Sequence, residues 1–154
     1  MRKIKFRGYH TELKKMFSAE ELAADQLTLL PTGEFINVSG DSTRISEIYP
    51  ADKFIPLQYT GLKDKNDKEI YEGDLVTYFN TNHIGEIIFY ANSWCIDFIT
   101  KSREGWCKEI KGDFKCLIIG NIYENPMTVK EAIIRSLTKL YAKDIKPIDE
   151  ANVF

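Results

Sequence analysis

Lys3-Ile4-Lys5-Phe6-Arg7-Gly8-Tyr9 alternates polar and apolar positions with period two. That pattern predicts a half-buried strand with Ile4 and Phe6 on one face and the cations on the other. Met16 and Phe17 follow as core candidates. Ser18-Ala19-Glu20-Glu21 has the form of a capping box, which predicts a short helix to about Asp25. Leu27 to Leu30 and Glu34 to Val38 read as strands around a Pro31-Thr32-Gly33 turn. Ser39-Gly40-Asp41-Ser42 is a polar loop and the best candidate for a boundary. Ile45 to Ile48 is short and ambiguous. Asp52 to Gln58 looks extended, and Pro56 argues for an edge or a strand end.

The densest turn chemistry lies between Gln58 and Val76. Thr60-Gly61-Leu62 reads as a bend, and the seven polar residues Lys63 to Glu69 read as a surface turn centred on Asn66-Asp67. Ile70-Tyr71 restores apolar character, Glu72-Gly73-Asp74 turns again, and Leu75 to Phe79 is a strand. Ile84 to Tyr90 is a strand in which Gly85 marks a bulge. Trp94 to Ile99, Trp106 to Ile110 and Phe114 to Ile119 complete the series. Five or six short strands at this spacing predict a mainly β fold of small, barrel-like or rolled antiparallel sheets, with an SH3-like barrel as one version. A second capping box at Thr128 to Glu131 opens a C-terminal α-helix to about Lys143. Its apolar stripe is Val129, Ile133, Leu137 and Leu140, widened by Ile134 and Tyr141. The chain divides into a β-rich region with a short helix over 1–57, a barrel-like core over 58–126, a helix over 127–143 and a flexible tail over 144–154.

Composition adds little direction. Nine Phe, eight Tyr and two Trp lean towards sheet. A net charge of −2 supplies no overall field for nucleic acid or acidic membrane. The charge is uneven, with six cations against Glu12 up to Phe17, then seven acids against Arg44 from Ser18 to Asp52. Solvated, mutually balancing faces are the first reading of such runs; a basic arm touching another subunit or a phosphate backbone is the second. Cys95, Cys107 and Cys116 form no Cys-x-x-Cys pair, which fits reduced thiols in a cytoplasm. No apolar run approaches a membrane span.

Candidate chemistries fall one by one. Asp64-x-Asn66 opens like a calcium loop. Lys68 then occupies a ligand position, Glu69 stands where Gly is needed, and Leu75 replaces the bidentate Glu. His10 and His83 have no second ligand at zinc spacing. Cys95, beside Trp94 in a strand pattern, reads as a packed thiol. P-loop, Gly-x-Ser-x-Gly and dinucleotide fingerprints are absent. No catalytic residue, metal or cofactor is expected.

Three motifs carry a resemblance. Gln58-Tyr59-Thr60-Gly61-Leu62-Lys63-Asp64, Ile70-Tyr71-Glu72-Gly73-Asp74, and Ile118-Ile119-Gly120-Asn121-Ile122-Tyr123-Glu124-Asn125-Pro126 are similar to the YopX family of phage and prophage proteins. Lys5-Phe6-Arg7 followed by Met16 looks like that family's opening. Asp67 departs from it, since Gly often follows Asn there. The resemblance implies a phage-encoded, cytoplasmic, mostly β protein that self-associates. It implies no reaction, and the motif residues read as turn and strand framing.

Two functions remain. The first is a non-enzymatic accessory protein that pairs with itself, with Val129, Ile133, Leu137, Leu140 and Tyr141 as the interface and no membrane involved. Another phage or host protein is a further partner class. The second is a nucleic-acid-binding module on a small β-barrel, with Lys101, Arg103, Lys108, Lys111 and Lys115 beside aromatic strands.

Overall fold

The computed structural model describes residues 3–38, 45–78, 84–98, 107–112, 115–126 and 131. The helix predicted over 127–143 lies outside them apart from Glu131, and so do the tail, the Ser39–Ser42 loop, His83 and Trp106. Strands β1 (Phe6–His10) and β2 (Lys15–Phe17) precede helix α1 (Ala19–Ala24). Then come β3 (Leu27–Leu29), β4 (Phe35–Val38), β5 (Ile45–Tyr49), β6 (Phe54–Lys63), β7 (Glu69–Tyr71) and β8 (Asp74–Tyr78). The series closes with β9 (Ile84–Tyr90), β10 (Ser93–Phe98), β11 (Cys107–Glu109) and β12 (Cys116–Asn121). The sheets are ordered β2-β1-β6-β7, β11-β10-β9-β8-β12 and β3-β4-β5, and the strand pairings among the described residues are antiparallel. The fold is mainly β, and its curled sheets form a half-barrel.

Local chemistry explains the elements. Ser18 Oγ accepts from Glu21 N at 3.1 Å and Glu21 Oε2 accepts from Ser18 N at 2.8 Å, so the capping box forms as predicted. Leu22 is the buried residue of that helix. It packs with Phe35 and Phe54, flanked by Phe17, Leu27, Leu29 and Tyr49. Phe54 is the hub of this cluster, with ring centroids 4.5 Å from Phe35, 5.4 Å from Phe17 and 5.8 Å from Tyr49. A second core joins Ile70, Val76, Ile87, Trp94, Ile96, Ile110 and Cys116. Full burial of each large aliphatic or aromatic side chain here contributes about 1.5–3 kcal/mol.

The structure decides several expectations. In β1 the cationic face is the inner one: Lys5 and Arg7 side chains are 17% and 12% exposed, whereas Ile4 is 71% exposed. Arg7 pairs with the buried Asp74, and Lys5 with the half-buried Glu69 and the exposed Glu20, so these cations lie on a covered face. Pro56, by contrast, takes the edge position expected of it: its neighbour is β1, and the pairing with β7 begins at Tyr59. It lies opposite Gly8 in β6, which runs between β1 and β7. Tyr59 N points to Lys5 of the β1 side, so alternation turns the nitrogen of Pro56 the other way, where β7 begins to pair only at Tyr59. Thr60-Gly61-Leu62 is no terminal bend. It forms an irregularity between Tyr59 and Lys63 within β6, with Gly61 at φ +88. Gly85 marks no bulge, because β9 runs in unbroken register with β10. It is a close approach: a Cβ there would meet Ile96 Cγ2 at 2.1 Å and Asp97 O at 2.9 Å.

Candidate functional site

The motif residues converge on two buried carboxylates. The first is Asp74, 1% exposed, at the start of β8. Gly73, at φ +74, lets the Tyr71–Asp74 turn close. Asp74 Oδ2 then accepts from Tyr71 N at 2.8 Å. Its Oδ1 accepts from the Arg7 guanidinium at 2.5 Å and from Asn121 Nδ2 at 3.4 Å. Arg7 also lies over the Tyr71 ring, 4.7 Å from its centroid. Next to it Lys5 Nζ reaches Glu69 Oε2 at 2.7 Å and Glu20 Oε1 at 3.0 Å. The Lys5 ammonium holds the Glu69 carboxyl below its ordinary range, and burial followed by Glu69 pushes the Tyr71 phenol upward.

Asp64 is the second, and it is 6% exposed. The polar run around it was read as a surface turn; Asp64 is the exception within it. Its Oδ1 accepts from Asn66 N at 2.8 Å and Lys68 N at 3.0 Å, and its Oδ2 accepts from Ile118 N at 3.2 Å. Burial alone would raise its pKa, but the three backbone N–H donors outweigh it and hold the carboxyl below 3.8. Asp67 adopts φ +66, so the turn forms without the family's glycine. Lys65 N donates to Cys116 O at 3.0 Å. The β6–β7 hairpin therefore covers the outer edge of β12, an edge that would otherwise present unpaired backbone groups.

The third motif completes the lock. Asn121 Oδ1 accepts from Tyr123 N at 3.0 Å, and Asn125 Oδ1 accepts from Asn121 N at 3.0 Å. Ile122 N donates to Gly73 O at 3.0 Å, and Gly73 N donates to Ile87 O at 2.8 Å. Tyr123 stacks on Tyr9, with centroids 5.1 Å apart.

Beside this lock the strand register gathers three more acids. Glu86 lies opposite Asp97 on β10. Burial, then Asp97, then Glu72 raise the Glu86 pKa. Burial raises that of Glu72 against one opposing backbone N–H from Gln58. Burial also raises the Tyr123 phenol, helped by Glu86 and Glu72. Among the described residues no three His, Cys, Asp or Glu side chains stand close enough to hold a metal ion.

The predicted interface residues Val129, Ile133, Leu137, Leu140 and Tyr141 lie outside the described residues, as do Lys101 and Arg103. Lys108, Lys111 and Lys115 are exposed, and Lys111 is paired with Glu109 at 2.8 Å. His10 Nδ1 accepts from Leu13 N at 3.3 Å, with its ring against Phe54. Cys95 is a buried thiol, as its strand pattern indicated. Sequence reasoning missed the roles of Arg7 and of Glu72, Glu86 and Asp97. The short distance from Arg7 to a period-two apolar face was the available signal. The cross-strand register that unites the acids had none.

Together these features define a class: a small antiparallel half-barrel whose hairpins are fastened by buried Asp and Asn side chains. The chain belongs to the YopX family, whose family model, described as YopX protein, matches residues 5–130. In structure it is similar to protein EF1440 from Enterococcus faecalis, at 23% identity over 84% of this chain and 99% of that one, with a TM-score of 0.52. It is also similar to protein yopX from Bacillus subtilis, at 16% identity over 82% and 97% of the two chains, with a TM-score of 0.53. At these identities both likenesses show the fold alone. A comparison with curated proteins finds no match. Among the described residues no helix is long and apolar enough to cross a membrane.

Proposed function

We propose that this chain is a non-enzymatic accessory protein of a phage or prophage, working in the cytoplasm of the bacterial host. It self-associates and acts through binding surfaces. The observation that carries this reading is where the family's motif residues go. Asp64, Asp74, Asn121 and Asn125 all accept hydrogen bonds from the chain's own groups, so these four motif residues fasten turns. The outward-facing side chains include the large apolar residues Ile45, Ile48, Phe89 and Tyr90, which suit contact with another protein surface.

The basic N-terminal segment supports a structural rather than a docking role for its cations. Lys5, Arg7 and Lys15 pair within the chain, with Glu69 and Glu20, Asp74, and Glu21 respectively. That weakens the nucleic-acid alternative, whose Lys111, just beyond β11, pairs with Glu109.

The test is molar mass in solution by light scattering on a sizing column, for the full chain and for a chain ending at Asn125. An assembly that collapses on truncation supports self-association through the last segment. An assembly unchanged by the cut places the contact on the strands. A monomer at high concentration refutes the reading. Salt-sensitive retention of labelled oligonucleotides by that monomer would favour the alternative.

A further inference from the structure

Two of the three cysteines face each other across a sheet edge. Cys95 lies opposite Glu109, and Cys107 lies opposite Asp97, in the β10–β11 ladder. Cys95 and Cys107 are therefore diagonal neighbours on one face, Cys95 buried and Cys107 half-buried. The Cys95 thiol itself donates to Tyr90 O at 3.9 Å. The third thiol, Cys116, is buried on β12 at the opposite end of the same sheet.

We infer that Cys95 and Cys107 are a latent cross-strand disulfide, closed by a peroxide and reopened by thiols, that fixes the edge strand β11 to β10. The half-buried Cys107 reacts first. Its sulfur attacks one peroxide oxygen, the O–O bond breaks, and water leaves with the thiol proton, giving Cys107 sulfenic acid. The Cys95 sulfur then attacks Cys107 Sγ; the S–S bond forms, the S–O bond breaks, and the Cys95 proton leaves with the hydroxyl as a second water. Two thiols are oxidised by two electrons, and one peroxide is reduced to two waters.

Three features shape the behaviour of this pair. Diagonal neighbours on one face stand about 7 Å apart or somewhat less. A disulfide needs Cβ atoms about 3.5–4.5 Å apart. Closure therefore requires β11 to move, and among the described residues β11 is a three-residue edge strand paired with β10. The resulting bond is of the strained, readily reduced kind. Burial first, then the Cys95 thiol, then Asp97 push the Cys107 thiol up to about 12. Movement of β11 is felt in the core, because Ile110 N donates to Trp94 O at 2.8 Å directly beyond it.

The experiment treats the full chain with hydrogen peroxide and maps the thiols. Trypsin separates the two cysteines, since Lys101, Arg103 and Lys108 lie between or just after them. The expected result is an intact mass lower by two hydrogens and a cross-linked peptide joining Cys95 to Cys107. Cys116 stays alkylatable, and dithiothreitol restores the original mass. Cys107→Ser, at the half-exposed position, should fold as the native chain does by circular dichroism and give no link. Three free thiols after treatment, a link involving Cys116 or a second copy, or direct passage of Cys107 to the sulfinic acid would each overturn the inference.

Discussion

Replacing Asp74 with alanine removes the acceptor on which three donors converge. Tyr71 N and Asn121 Nδ2 lose their partner, and the Arg7 guanidinium is stranded at 12% exposure above the Tyr71 ring. Breaking a buried ion pair by deleting one member costs about 3–5 kcal/mol, and a lost neutral hydrogen bond costs about 1 kcal/mol. We expect about 4 kcal/mol for Asp74→Ala, a large share of the roughly 5–15 kcal/mol that stabilises a domain of this kind. Much of that cost is the stranded cation. Adding Arg7→Met should therefore add little, so that the double variant falls short of the summed single effects by about 2 kcal/mol. The Lys53–Glu12 pair on the surface is the control and should show no resolvable coupling. Urea unfolding followed by circular dichroism, with an unchanged m-value, measures all four corners of each cycle. Additive Arg7 and Asp74 effects, or an Asp74→Ala cost no larger than that of Lys53→Met, would refute the claim that this carboxylate fastens the turn.

Three further outcomes are expected. Asp64→Asn presents an amide donor to one of three backbone N–H groups and should cost about 1–3 kcal/mol at neutral pH. Because the folded pKa of Asp64 is depressed, its stabilisation is complete above the unfolded value of 3.8 and is lost as pH falls through the folded value. The gap between variant and native melting temperatures should narrow in that acid range; a pH-independent gap would contradict it. Glu86 has the opposite sign: its folded pKa is raised above 4.5, so stability is lost as pH climbs through the folded value. Glu86→Gln should raise the melting temperature at neutral pH and leave it unchanged well below 4.5, and no gain at neutral pH would count against the acidic face. Gly85→Ala pushes a methyl into Ile96 Cγ2 and should cost about 1–3 kcal/mol in thermal unfolding. The loss should shrink in an Ile96→Leu background, which lacks that methyl, and an undiminished loss would point elsewhere.

Much of the architecture was legible because it rests on local chemistry. The Ser18 capping box, the Pro31–Gly33 turn and the left-handed Asp67 are decided within four residues, and each appears where its residue types place it. The rest shares one cause. Whether Ile4 or Arg7 faces inward depends on Asp74, sixty-seven residues away. Whether Gly85 is a bulge or a close approach depends on the side chain of Ile96 across the ladder. Period and propensity describe an element's two faces, but the partner that covers each face is a long-range fact.

The same reasoning explains why the motifs speak so clearly about fold and so little about activity. Asp64 ties Asn66 and Lys68 to Ile118; Asp74 ties Tyr71 to Arg7 and Asn121. Each motif therefore needs the other two for its hydrogen bonds, and a change in any one leaves buried polar groups of the others unpaired, at about 1–3 kcal/mol each. A constraint of that kind holds a polar pattern together by stability alone. Residues outside the lock are free of it. Ile45, Ile48, Phe89 and Tyr90 on the surface, the Glu86–Asp97 cross-strand pair and the Cys95–Cys107 pair lie outside the three motifs, so differences between such proteins should be written there rather than in the turns.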